Sequence, residues 1–192
     1  MTLRKIAQIG HPILRERARE LTRDELRSPE VQRFVDDLVA TMRDANGAGL
    51  AAIQVYEPIR LVAIEVRGDN PRYPYKTKIP LTILANPVLE PIGDETFWNF
   101  EGCLSVPNLR GRVRRWARLR VRAWDRDGND LDFVTAGISA GTFQHEVDHL
   151  DGKLFVDRVE DSRTLTTWEG FERYHQAKFV GEVKEIVARY GS

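Results

Sequence analysis

The segment His145-Glu146-Val147-Asp148-His149 restricts this chain more than any other stretch. Histidines four residues apart stand one above the other only on an α-helix, so the segment predicts a helix over about 140–150, capped by Ser139 and stopping near Gly152. On the helical wheel Phe143, Val147 and Leu150 gather on one side, and His145 and His149 fall on roughly the other. The two imidazoles therefore do not belong to the packing stripe. They can converge on one metal ion, with Glu146 beside them to handle the proton of a water. A purely structural pair is the plainer alternative. The chain has only four histidines, and this pattern rarely arises by accident in so small a set.

Two imidazoles do not complete a metal shell. Cys103, in EGCLS, offers a thiolate and would give a Cys-His-His site with one position open to water. A lone cysteine is ordinarily a small buried hydrophobe. Its flanks, Glu101-Gly102 and Ser105-Val106-Pro107, instead predict a turn or irregular strand edge. Glu169 competes as third ligand: a His-His-Glu set is the zinc peptidase arrangement. It also fits the first turn of a final helix, where capping accounts for it. The residues alone leave both sets open.

The rest of the chain frames this site. Lys+Arg and Asp+Glu each number 29 in 192 residues, a zero net charge that argues against a dedicated nucleic-acid module. The single cysteine excludes an internal disulfide and fits a reducing compartment. No early segment resembles a secretion signal and no apolar run approaches the roughly 18 residues of a membrane span, so the expected location is the cytoplasm, with no membrane contact. No repeat or long linker divides the sequence, which predicts one α+β unit with a C-terminal appendage.

Within that unit the first 20 residues hold a turn at Gly10–Pro12 and no assigned chemistry. Ser28-Pro29-Glu30 opens a helix with a buried stripe of Val31, Phe34, Val35, Leu38, Val39 and Met42, ending before the glycines at 47 and 49. Strands are predicted at 61–66 and 81–90, separated by a Pro- and Tyr-rich loop over 69–80. A hairpin follows from 118–124 and 131–134 around the turn at 125–130. Thr166 and Glu169 fit a capping box for a last helix over about 167–190, whose seam of Phe171, Tyr174, Ala177, Val180, Val183, Val187 and Tyr190 is expected to dock on the core. Arg110 to Arg126 contains eight arginines and one acid. Its alternation reads as a solvated strand face, with steering toward ribosomal RNA or nascent chains as the second reading. Glu101, if buried, needs one of these arginines as partner.

Three segments in order, GAGLAAIQ at 47–54, EGCLS at 101–105 and QHEVDHLDG at 144–152, together spanning over half the chain, resemble the signatures of the peptide deformylases. These are metallohydrolases that remove the formyl group from the starting methionine of new proteins. The resemblance implies an α+β fold over 1–192 with short antiparallel strands around a central HExxH helix. It makes Cys103, His145 and His149 the metal ligands and Glu146 the catalytic acid and base. Gln54 and the Leu104 N–H become donors to the developing oxyanion. Gly47, Ala48, Gly49, Leu50 and Gly102 become backbone partners of the peptide. Gly141 and Thr142 stand where bulkier side chains often line the methionine pocket, which predicts a wider or reshaped pocket. The implied cofactor is Fe²⁺, with Ni²⁺, Co²⁺ or Zn²⁺ as substitutes. The implied partners are N-formylmethionyl nascent peptides in a bacterial-like cytoplasm, with ribosome contact through the basic segment or the C-terminal helix. Two other functions stay open at this point: a zinc peptidase using Glu169, and a homologue that binds formylated chain ends or the ribosome without turnover.

Overall fold

Thr22 and Glu25 cap each other's backbone N–H groups in a reciprocal box, and this nucleates a one-turn helix, α1 (Arg23–Arg27), not expected from the sequence pattern. The computed structural model of the chain describes residues 2–68 and 77–191, so most of the expected loop at 69–80 lies outside the described residues. Ser28 ends α1 and opens α2 (Pro29–Asp44), its hydroxyl accepting from the Val31 N–H at 3.3 Å with Pro29 in the first turn. Phe34, Val35, Leu38, Val39 and Met42 face inward as their spacing requires and pack on Leu50, Leu61 and Ala63. Each such side chain contributes about 1.5–3 kcal/mol on burial.

Seven strands follow: β1 (Gly49–Ala51), β2 (Leu61–Val66), β3 (Ile79–Pro91), β4 (Thr96–Cys103), β5 (Val106–Trp116), β6 (Arg118–Trp124) and β7 (Asp130–Ala136). All pairings among them are antiparallel. Five form one sheet in the order β1-β2-β3-β6-β7, and β4 and β5 make a separate hairpin. The hairpin was not visible in the sequence. Both of its faces are covered only toward Cys103, where Asn99, Phe100 and Glu101 are buried in succession, while Thr96, Trp98 and Trp116 at the other end are exposed; the polar-apolar alternation that marks a half-wet strand does not run its length. Cys103 still sits where an irregular edge was expected, at the last residue of β4, with the register breaking between Gly102 and Cys103.

The helix carrying HEVDH is α3 (Gly137–Leu150), and it starts earlier than expected. Ser139 is not its cap: it lies inside the first turn, and Ala136 occupies the capping position without a side-chain bond. Thirteen of its fourteen residues are buried, because the helix lies between two covers. Phe143 and Leu150 pack with Val62, Ile64 and Leu84 of the large sheet, while the other side meets β4 and β5. Gly137 holds a φ of 54° beside the Gly191 carbonyl, which a Cβ there would approach to 2.5 Å.

The expected continuous helix over 167–190 is two helices, α4 (Trp168–Tyr174) and α5 (Gln176–Tyr190), broken at His175. The cause is packing. Eight residues of straight helix rise about 12 Å, yet the Phe171 and Phe179 rings lie 6.0 Å apart and both meet Phe100. Only a bend brings them together. The cap is Thr167, accepting from the Gly170 N–H at 3.0 Å, rather than a Thr166/Glu169 box. Part of the expected seam docks on the protein's own core, with Phe171 and Val183 buried against Phe97, Phe100 and Ile138; Phe179 joins them from outside the expected seam, while Tyr174 and Ala177, on either side of the bend, are exposed.

Six of the eight arginines in the Arg110 to Arg126 segment meet carboxylates: Arg112–Glu182, Arg114–Glu160, Arg115–Glu101, Arg120–Asp132, Arg122–Glu90 and Arg126–Asp36. The segment runs over β5 and β6, and the first reading, a solvated strand face, holds for its exposed arginines but not for the buried Arg110 and Arg115.

Candidate metal centre

Period-two geometry turns Asn99, Glu101 and Cys103 of β4 to one side, where they meet the imidazoles of α3. Cys103 Sγ lies 3.3 Å from His149 Nε2. One ligand atom each from Cys103, His145 and His149 falls within 4.8 Å of the others. The two imidazole rings are nearly perpendicular, with centroids 5.0 Å apart. His145 Nδ1 donates to Glu101 Oε2 at 2.9 Å, which fixes the tautomer and leaves Nε2 to serve as a ligand.

Glu101 has the arginine partner its burial demands, and that partner is Arg115. The guanidinium reaches both carboxylate oxygens at 2.7 Å and passes its third nitrogen to Asp148 at 2.6 Å. Arg158 grips the same Asp148 from the solvent side. Burial alone would push the Glu101 carboxyl up, but Arg115 and His145 hold it far below the usual carboxylate range. Burial likewise opposes a thiolate at Cys103, and the charge of His149 with bonds from both imidazoles outweighs it, holding the thiol well below its ordinary value. For His145, burial opposes the charged ring while Cys103 and Glu101 drive its pKa well up. A thiolate and two oriented imidazoles form a donor set suited to a divalent transition metal with one position left open.

Gln54 sits against this cluster with its amide already oriented. Its Oε1 accepts from the Ala51 N–H at 2.8 Å, so its Nε2 points to Ser105 Oγ at 3.0 Å and Cys103 Sγ at 3.5 Å. The first residues, given no chemical role by sequence, brace this region. The Ala7 N–H donates to the Gln54 carbonyl and the Ile9 N–H to the Ser105 carbonyl, at 2.8 and 2.7 Å.

A cleft opens beside the cluster, lined by Gly47, Ala48, Gly49, Gln54, Gly102, Cys103, Leu104, Gly141, Thr142, His145 and Glu146. β1 turns the Leu50 side chain into the core against α2, fully buried, so only its backbone is left for the role expected of it. Glu169 is exposed in the first turn of α4, outside the ligand cluster. Gly141 does not simply widen the pocket, because a Cβ there would lie 3.2 Å from Phe97 Cζ and Asn99 Nδ2. Those side chains already fill the space. Sequence reasoning missed Asn99 and Phe100 as cleft residues and Ser105, Arg115 and Asp148 as supports. The spacing Asn99-x-Glu101-x-Cys103 was the signal that could have found the first of these.

Fold and site together define a metal-dependent hydrolase. Comparison with known proteins makes the class specific: residues 3–164 match the model of the family described as polypeptide deformylase, and the chain belongs to that family. Peptide deformylase 1 of Prochlorococcus marinus (strain MIT 9313) is 44% identical over 165 residues, 86% of this chain and 85% of that protein. The class I type b peptide deformylase of Acinetobacter baumannii, solved with Met-Ala-Ser bound, superposes with a TM-score of 0.78 at 37% identity, covering 82% of this chain and 99% of that one. The peptide deformylase of Synechococcus elongatus, solved with actinonin, gives a TM-score of 0.73 at 29% identity over 98% of this chain and 86% of that one. The chain is thus a hydrolase of protein biosynthesis that removes the N-formyl group from nascent polypeptides. Among the described residues no helix is long and apolar enough to cross a membrane.

Proposed function

We propose that Cys103, His145 and His149 hold the catalytic metal and that Glu146, Gln54 and the Leu104 N–H carry out deformylation around it. The observation that carries this reading is the meeting of the three ligand atoms within 4.8 Å on the wall of a cleft that Glu146 also lines. A divalent cation there supplies a Lewis acid that lowers the pKa of a water and polarises the formyl oxygen. Fe²⁺ is the proposed natural ion, with Ni²⁺, Co²⁺ or Zn²⁺ able to stand in. Glu146 takes the proton of the attacking water and returns it to the departing methionine nitrogen. The water's hydroxyl joins the formyl carbon, the C–N bond breaks, and formate leaves beside a free amine. Gln54 Nε2, held by Ala51 and Ser105, donates to the oxygen on which negative charge builds, and the Leu104 N–H is its companion.

The peptide runs extended between the backbone of Gly47–Leu50 and that of Gly102, adding a strand to the cleft. Its methionine side chain points toward Gly141 and Thr142, with Phe97 closing the far end. Met-Ala-Ser in the Acinetobacter relative supports a peptide of this length. Residues 1–192 act as one catalytic domain on nascent chains in the cytoplasm. Contact with the ribosome falls to the outer face of α5, since the arginine strand is occupied by its own carboxylates.

Metal analysis tests the ligand set. Cys103→Ala is expected to lose most bound iron or nickel and Glu169→Ala to keep it. Retention by the first together with loss by the second would put the ligands in a peptidase-like arrangement instead.

A further inference from the structure

The two sides of β4 lead to different places. Glu101 and Cys103 turn toward the metal cluster, whereas Phe100 and Gly102 turn the other way, Phe100 onto Phe171 and Phe179. Gly102 lies under the indole of Trp168: a Cβ built on it would be 3.1 Å from Trp168 Cζ2. Gly102 is also a wall of the cleft. Trp168 thus covers this wall residue from the side of the strand away from the metal, and packs against the apolar cluster that includes Ala48 of the facing wall.

This position is held from several directions. Thr166 and Arg110 exchange backbone hydrogen bonds at 2.8 and 2.9 Å, tying the start of α4 to β5. Asn108 Oδ1 accepts from the Trp168 N–H at 3.3 Å. The Arg110 guanidinium lies over the Trp168 and Phe171 rings, 4.4 and 3.9 Å from their centroids. The indole is half-buried and fixed before any ligand arrives. It lies in the C-terminal helices, beyond residues 3–164 that match the family model.

Successive side chains of an extended peptide point to opposite sides. On the peptide path proposed above, on which this inference rests, the methionine faces Thr142 and the metal side, and the next residue faces the Gly102 and Trp168 side. We propose that Trp168 forms the subsite for the residue immediately after the methionine, favouring flat or long apolar side chains that lie on the indole. Such a contact contributes binding in addition to the backbone pairing and selects among nascent chains by their second residue.

The test compares kcat/KM for formyl-Met-Gly-Ser, formyl-Met-Leu-Ser and formyl-Met-Phe-Ser in the metal-loaded full chain, its Trp168→Ala and Trp168→Phe variants. The wild type is expected to favour Leu and Phe over Gly by roughly three- to tenfold. Trp168→Ala should bring the ratios close to one, and Trp168→Phe should keep most of the preference. Trp168→Leu, which retains apolar volume for α4 docking, replaces the alanine variant if that one melts early, and it should lose the Phe preference first. Equal loss on all three peptides with the ratios intact would make Trp168 a packing residue, and a wild type without preference would equally overturn the subsite. Calorimetry of Met-Gly-Ser, Met-Leu-Ser and Met-Phe-Ser binding reads the same preference without turnover. A wild type that releases no formate would therefore count against the catalytic assignments while the binding series still decided the role of Trp168.

Discussion

Gly49 and Glu146 occupy one space: a Cβ at Gly49 would lie 2.4 Å from the carboxyl carbon and Oε1 of Glu146 and 2.6 Å from its Cγ. No real Cβ sits so close, so the glycine of β1 is required by the acid on α3. Gly49→Ala should displace the Glu146 carboxylate by about an ångström, and a displacement of that size costs on the order of a hundredfold in turnover. Metal content should stay normal, because neither residue belongs to the proposed ligand set. Steady-state kinetics beside metal analysis of the variant checks both halves.

Arg115 compensates two buried carboxylates at once, Glu101 and Asp148. Arg115→Met strands both, and removal of one partner from a buried ion pair costs about 3–5 kcal/mol. Denaturant unfolding should show that loss. Glu101→Gln is milder for folding but deprives His145 of its carboxylate partner, so metal affinity should fall about 10- to 100-fold in a chelator competition. Unchanged affinity would mean that Glu101 orients Arg115 alone.

The sequence was most legible where one element carried its own signal. The cap at Ser28, the stripe of α2 and the hairpin of β6 and β7 depend on local spacing, and each appears as expected. The meeting of Cys103, His145 and His149 was legible because few residue types offer metal-ligand atoms. What stayed hidden depends on distant partners. β4 loses its alternation from Asn99 to Glu101 because helices cover both of its faces there. The bend at His175 exists because Phe171 and Phe179 share the Phe100 ring, 71 residues upstream of the nearer one. Arg115 could not be chosen from its neighbours until Asp148 and Glu101 were both in view.

The proposed methionine pocket offers a further prediction. Thr142 lines the cleft, its hydroxyl donating back to the Ile138 carbonyl at 3.3 Å. Thr142→Ile should change selection among formyl-Met, formyl-Leu and formyl-Phe peptides by roughly ten- to a few hundredfold, the range of a methylene in an apolar slot. Metal content should not change. Uniform loss with preferences intact would assign Thr142 to helix packing.

Arg43 of α2 holds Glu65 of β2 through paired hydrogen bonds of 2.7 and 2.8 Å. The bond to Arg43 lowers the Glu65 pKa against the opposing effect of burial. A depressed carboxyl contributes stability above its unfolded pKa of about 4.3 and loses it as the pH falls through the folded value. Arg43 is 44% exposed, so screening keeps the contribution below about 1 kcal/mol. Urea midpoints of wild type and Glu65→Gln should differ most near neutral pH and converge below about pH 4. A gap that widened on acidification would reverse the sign and contradict the pairing.

The most direct measurement of the central assignment is formate release from formyl-Met-Ala-Ser by the iron-loaded chain and its Glu146→Ala variant at matched metal content. The wild type should release formate and free amine in equal amounts, while Glu146→Ala keeps its metal and falls by about a hundredfold or more, the range for losing a general acid and base. A Glu146→Ala variant that releases formate at the wild-type rate would contradict the proposed role of Glu146 at the Cys103, His145 and His149 centre.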